Sequence, residues 1–205
     1  MECIADQIGN AGVIVILRNR CQELIEQHLP RLLNAGMRVI EVSRVAQNYN
    51  HAMTSLLSQP GGHLLVGAGT IRSESDAEEA IRLGAMFLIS PHFDPALTKF
   101  VLGSNIPYIV GCYTPSEVVA ALNAGCSMIK IFPAFLGGPN YIKSLLAPFP
   151  EARFVPTGGV HPKDVPQYWE AGAWAVAIGS ELTNSLYDNR CDEETLKQLF
   201  SGKQR

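Results

Sequence analysis

A closed (β/α)8 barrel is the fold this chain predicts, from three observations. Eight short apolar runs recur along the sequence. The stretches between them carry apolar residues at three- and four-residue intervals, the period of a helix packed on one face. Glycines close several of those stretches, at Ala35-Gly36, Leu83-Gly84, Ala124-Gly125 and Ala171-Gly172, each suited to a left-handed C-cap before the next strand. Eight strand–helix units in one chain build a closed barrel. At 205 residues the chain is near the short limit for that fold, so its loops must be tight. A doubly wound open sheet is the alternative. Its usual early sign, a G-x-G-x-x-G turn, is missing, because the first run ends Leu17-Arg18-Asn19-Arg20.

In order, the runs are Val13–Leu17, Arg38–Val42, Leu64–Gly67, Met86–Ile89, Tyr108–Val110, Ser127–Phe132, Arg153–Val155 and Ala173–Ile178, the fifth being the weakest. Helical periodicity marks Gln22–Asn34, Ser75–Leu83, Pro115–Ala124, Tyr141–Leu146 and Lys163–Glu170. Thr114-Pro115-Ser116-Glu117 is a strong helix start: a capping hydroxyl, a proline at the first helical position and a glutamate at the third. No linker or low-complexity tract divides the chain, so residues 1–205 read as a single domain. A short helix is expected at about residues 1–9, at the barrel's bottom. The last dozen residues are polar and expected to fray at the very end.

Composition narrows the function. With 47% hydrophobic residues the chain can bury a full core. A net charge of −3 without a basic block argues against nucleic-acid binding. No apolar stretch is long enough to span a bilayer, and the start Met-Glu-Cys-Ile-Ala-Asp lacks the basic flank of a signal peptide. The five cysteines are odd in number and lack C-x-x-C spacing, as expected of reduced thiols in a cytoplasmic protein. Five scattered histidines form no metal-binding motif.

The chemistry points to Lys130, inside the apolar run Ser127-Met128-Ile129-Lys130-Ile131-Phe132-Pro133. A lysine desolvated among apolar neighbours loses its proton more easily, and a neutral amine can attack a carbonyl. The plainer alternative is a structural lysine at a strand end whose head reaches water. The second run carries Glu41, and period-2 parity groups Val39, Glu41 and Ser43 on one face as it groups Met128, Lys130 and Phe132 on another. If both faces point inward, Glu41 and Lys130 approach across the barrel mouth, as a buried salt bridge or as general acid–base and nucleophile.

Function in this fold collects at the C-terminal ends of strands. There the third run ends Gly67-Ala68-Gly69-Thr70, whose hydroxyl either holds an anion or caps the next helix. The fourth ends Ile89-Ser90-Pro91, a rigid stop. Gly158, Gly159, Gly179 and Ser180 follow strands seven and eight, where barrels often bind phosphate, although ordinary turns use the same residues. Lys163 either adds charge there or is a solvated helix lysine.

These segments, in this order, resemble the family of 2-keto-3-deoxy-6-phosphogluconate (KDPG) and 4-hydroxy-2-oxoglutarate (KHG) aldolases. The similarity covers roughly residues 5–200 and is most specific at Lys130-Ile131-Phe132-Pro133-Ala134 and Pro156-Thr157-Gly158-Gly159. The resemblance implies Lys130 as the Schiff-base lysine and Glu41 as the catalytic acid–base. It implies Thr70 at the pyruvyl carboxylate, Pro91 and Phe132 as the wall around the pyruvyl unit, and Gly158, Gly159, Gly179 and Ser180 at the phosphate. Arg18 matches an arginine beside the substrate, with a plain surface arginine as the other possibility. The resemblance further implies a homotrimer with no metal and no cofactor. Its substrate is a small 2-oxo acid, phosphorylated where the phosphate end works and 4-hydroxy-2-oxoglutarate where it does not. One departure stands out. Many members read E-V-T-x-R-T after strand two; here the segment is Glu41-Val42-Ser43-Arg44-Val45-Ala46, so Val45 occupies the arginine position and Arg44 or Arg18 is left to serve. The same imine would decarboxylate oxaloacetate. A phosphosugar isomerase or epimerase, or a non-catalytic phosphometabolite-binding protein, would share the glycines without needing Lys130 and Glu41.

Overall fold

Short apolar runs between well-capped helices pair only with one another here, and they form one parallel barrel. The computed structural model describes residues 2–60 and 63–202. Its strands are β1 (Val13–Leu17), β2 (Val39–Ser43), β3 (Leu65–Gly69), β4 (Leu88–Ile89), β5 (Tyr108–Cys112), β6 (Met128–Ile131), β7 (Arg153–Pro156) and β8 (Val176–Ile178). Neighbouring strands pair in the order β7-β6-β5-β4-β3-β2-β1-β8, and a bridge between Thr157 and Ala177 joins β7 to β8 and closes the ring. The (β/α)8 barrel expected from the sequence is the observed fold, and the open sheet is excluded by that closure.

The helices are α1 (Ile4–Ala11), α2 (Cys21–Glu23), α3 (Leu29–Asn34), α4 (Tyr49–Leu57), α5 (Glu74–Arg82), α6 (Pro95–Gly103), α7 (Pro115–Asn123), α8 (Gly138–Leu146), α9 (Val165–Glu170), α10 (Ser180–Tyr187) and α11 (Glu193–Phe200). A π-helical turn, Leu24–His28, links α2 to α3. Glycines 36, 84, 125 and 172 all take positive φ just past a helix, as their positions required. At α7 the capping box forms fully, with the Thr114 hydroxyl on the Glu117 N–H and the Glu117 carboxylate on the Thr114 N–H.

Two layers of core hold the fold. Ile14, Val39, Leu65, Phe87, Ile109, Met128 and Val155 meet inside the barrel near its N-terminal end, and Ile8 of α1 joins them there. A larger layer lies between the strands and the surrounding helices. Towards the other terminus the polar segment carries a helix, and the expected fraying falls on the very end of the chain. Asp192 caps α11 by accepting the Thr195 N–H, and Leu196, Leu199 and Phe200 are buried. The polar residues of that segment hid an amphipathic face. The very end, residues 203–205, lies outside the described residues.

Candidate active site

Pairing fixes the depth of the reactive residues. Glu41 lies opposite Gly67 on β3, and Lys130 lies opposite Gly111 on β5 and Val155 on β7. Both side chains turn inward, Glu41 only 1% exposed and Lys130 6%. The approach expected from strand parity is therefore met. The buried salt bridge is not, because no Lys130–carboxylate contact lies within ion-pair distance among the described residues. One Glu41 oxygen, Oε2, is buried without any hydrogen-bond partner. Burial pushes the Glu41 carboxyl above its ordinary pKa, against the pull of Lys130 and Arg18. Burial likewise lowers Lys130, helped by Arg18 and opposed by Glu41. Both groups are driven toward their neutral forms. Lys130 Nζ also sits 5.3 Å from the centroid of the Phe132 ring.

Gly69 has a role the sequence did not suggest. A Cβ there would fall 1.6 Å from Glu41 Oε1, so the glycine makes room for the carboxylate rather than for a ligand. The next residue, Thr70, has φ +61°, a strained conformation for a β-branched side chain that costs on the order of 1–3 kcal/mol. Its hydroxyl lies 2.7 Å from the buried Ser43 hydroxyl, and the Arg44 N–H donates to Gly69 O at 2.7 Å just before it. Pro91 is held from below. Tyr108 donates to Ser90 Oγ at 2.8 Å, Ser90 donates to His92 O at 2.9 Å, and a Cβ on Gly111 would collide with the Pro91 carbonyl carbon.

All ten residues singled out in the sequence line one cavity of about 240 Å³ at the C-terminal ends of the strands: Arg18, Glu41, Thr70, Pro91, Lys130, Phe132, Gly158, Gly159, Gly179 and Ser180. Gly158 and Gly159 have φ of +91° and +66°, and a Cβ on either would press on the ring of Phe132 or Phe135. Glycine is required twice over, by conformation and by packing. α10 starts at Ser180; its first intrahelical bonds run from the Leu182 and Thr183 N–H groups to Gly179 O, so the N–H groups of Ser180 and Glu181, two residues that line the cavity, precede them. Arg18 is exposed and, among the described residues, makes no ion pair or side-chain hydrogen bond.

Geometry sets Arg18 and Arg44 apart. Arg44 pairs with Asp76 at 3.8 Å and with Glu79, and its guanidinium lies 5.0 Å from the Tyr49 ring centroid. It is bound to α5 and does not reach the cavity, and Val45 is solvent-exposed. Lys163 lines a separate groove of about 440 Å³ that shares only Ser180 and Glu181 with the cavity. Sequence reasoning missed Ile16, Asn19, Thr157, Glu181 and Thr183 as lining residues. Ser43 was visible through the parity of Glu41, and Thr157 stood inside the Pro156-Thr157-Gly158-Gly159 segment; Asn19, Glu181 and Thr183 carry no local signal.

A parallel barrel with a buried, unpaired lysine and glutamate in one mouth cavity defines a barrel lyase of the aldolase type. The sequence profile of the KDPG and KHG aldolase family matches residues 4–199, and the chain belongs to that family. It is thus a carbon–carbon lyase. Among its relatives, the 2-dehydro-3-deoxy-phosphogluconate aldolase of Dickeya dadantii is 32% identical over 194 residues, covering 90% of both chains. The enzyme of that name from Treponema pallidum is 35% identical over 150 residues, 71% of each. Among solved structures, the KDPG aldolase from Legionella pneumophila, with pyruvate captured at low pH as a covalent carbinolamine intermediate, matches with a TM-score of 0.81. It is 25% identical and the match covers 95% of both chains.

Proposed function

We propose that this protein is a class I aldolase in which Lys130 forms the Schiff base and Glu41 moves the protons. The observation that carries it is a lysine 6% exposed, held toward its neutral form and without an ion pair, in the same cavity as a buried carboxyl with a free oxygen. The neutral amine adds to the C2 ketone of a 2-oxo acid, and loss of water leaves a protonated imine. Glu41, through a water, takes the C4 hydroxyl proton, the C3–C4 electron pair flows into the imine, and the aldehyde leaves. Glu41 then returns a proton to C3 of the enamine, and hydrolysis frees pyruvate and Lys130. To be useful near pH 7 the amine must titrate below an ordinary lysine, which is the direction burial gives it. Capture of pyruvate in the Legionella protein supports the same intermediate here.

Thr70 holds the pyruvyl carboxylate, and Pro91 and Phe132 wall the pyruvyl unit. Arg18, Gly158, Gly159, Gly179 and Ser180 receive the far end of the substrate, 2-dehydro-3-deoxy-6-phosphogluconate or 4-hydroxy-2-oxoglutarate. Borohydride reduction with pyruvate, followed by peptide mass spectrometry, tests the proposal. An adduct on the Lys130 peptide is expected, and its absence from folded protein would overturn the mechanism in favour of an isomerase or a binding protein.

Phe132, Phe135 and Leu136 are exposed together after β6, at 41%, 61% and 62%. This apolar cluster supports a homotrimer contact at the barrel mouth. Sedimentation should give three chain masses, and Phe135→Asp should give one. The five cysteines are all free thiols, four of them buried, which supports a cytoplasmic location. Among the described residues no helix is long and apolar enough to cross a membrane.

A further inference from the structure

Thr70 shares a hydrogen bond with Ser43, and which of the two donates decides whether the Thr70 proton is free for a carboxylate. A hydroxyl carries one donor hydrogen and two acceptor lone pairs. The two oxygens lie 2.7 Å apart, so one hydroxyl must donate to the other. A substrate carboxylate can only accept. Ser43 is fully buried, whereas Thr70 is half-buried at the cavity surface, so a ligand meets Thr70 first. Once Thr70 donates to that ligand, the only arrangement left has Ser43 donating to Thr70 Oγ1. Among the described residues Ser43 Oγ has no other hydrogen-bond partner, so nothing competes for its proton.

The backbone sharpens the point. Thr70 sits at φ +61°, where its side chain has little freedom to turn toward another partner. Ser43 ends β2, two residues past Glu41 and on the same face, and pairs in register with Gly69. The parity of β2 that turns Glu41 into the cavity therefore turns Ser43 the same way, and pairing with β3 sets it beside Thr70.

We propose that Ser43 is a positioning residue for the aldol reaction: its hydroxyl donates to Thr70 and thereby orients the Thr70 proton toward the carboxylate of the pyruvyl unit. The proposal rests on the aldolase reading and extends it to a residue that acts only through another. Donation in series also polarises the Thr70 hydroxyl and makes it a better donor.

The test is a double-mutant cycle read on pyruvate alone, as exchange of its methyl protons into deuterated water followed by NMR. Ser43→Ala should raise KM for pyruvate roughly tenfold in the native background and less than twofold when Thr70→Val is already present. Ser43→Thr should restore most of the loss, because it keeps the hydroxyl. Circular dichroism and Tm confirm that each variant folds. An equal penalty from Ser43→Ala in both backgrounds would assign Ser43 a purely structural part and overturn the proposal, as would an unchanged KM. A wild-type protein with no exchange and no borohydride adduct would bring down the aldolase reading and this proposal together. Exchange in the wild type that Ser43→Ala leaves intact would bring down this proposal alone.

Discussion

At the floor of the cavity Glu41 and Lys130 are buried and unpaired; at its rim Arg18 is exposed and four neighbours, Gly158, Gly159, Gly179 and Ser180, offer mainly backbone N–H groups. The floor holds titratable groups pushed toward neutrality by lost solvation, which suits bond making and proton transfer. The rim holds a permanent cation and fixed dipoles, which suit recognition of an anion without titrating. The difference means that mutations at the two ends should separate cleanly. Floor changes act on kcat and on the covalent step, and rim changes act mainly on KM for the full-length substrate.

The largest effect is expected at the nucleophile. Lys130→Met should lower kcat on the order of 10⁴-fold or more, with no borohydride adduct, because among the described residues no second amine lines the cavity. Glu41→Gln comes next, at roughly 10²–10⁴-fold in kcat. It should still form the pyruvate adduct at Lys130, since imine formation and carbon–carbon cleavage use different groups. Equal loss of adduct and turnover in that variant would erase the distinction between nucleophile and acid–base.

The rim gives smaller numbers. Arg18→Ala should raise KM for the full substrate about tenfold, the worth of one charge-assisted contact, with a smaller effect on pyruvate exchange through its influence on Lys130. Tyr187→Phe should mimic it in part, about fivefold, because the Tyr187 hydroxyl bonds Asn19 O at 3.0 Å and Arg20 O at 3.2 Å and so fixes the loop that carries Arg18. Arg44→Met is the contrast. Its ion pairs with Asp76 and Glu79 are half-buried, so about 0.5–1 kcal/mol of stability should go while KM stays put. A KM rise with Arg44→Met would return that residue to the substrate.

How much of this was legible beforehand follows from where the signals are local. Helix ends were readable because a Gly or a Thr-Pro-x-Glu carries its own geometry, as at Gly125 and Thr114. Parity along β2 and β6 was enough to bring Glu41 and Lys130 together. By contrast, α4 begins at Asn48 in a left-handed conformation with no side-chain cap, so nothing in Gln47-Asn48-Tyr49 announces it. β4 is only two residues long, although the apolar run there spans four, because ladder pairing with β3 and β5 begins only at Leu88. The fate of Arg44 depended on Glu79 and Asp76, more than thirty residues away. Long-range pairing of that kind has no footprint in a single sequence.

The smallest effect concerns stability. Glu41 has a folded-state pKa raised above the ordinary glutamate value, chiefly by burial. Between those two values the unfolded chain is ionised at this position while the folded chain keeps its proton, so folding takes up a proton. Stability from this group is therefore complete below the ordinary value and declines as pH rises through the raised one. Glutamine at position 41 has no such titration. Relative to the wild type, Glu41→Gln should thus gain Tm as pH rises from the ordinary glutamate value towards the raised one, with about 2–4 °C per kcal/mol expected for a chain of this size. Lys130 titrates the other way: its lowered value means stability is lost as pH falls through it, so the same scan in a Lys130→Met background isolates the glutamate. A Tm difference that stays flat across the range would mean that Glu41 is ionised in the folded protein throughout. The floor of the cavity would then hold a charge like the rim.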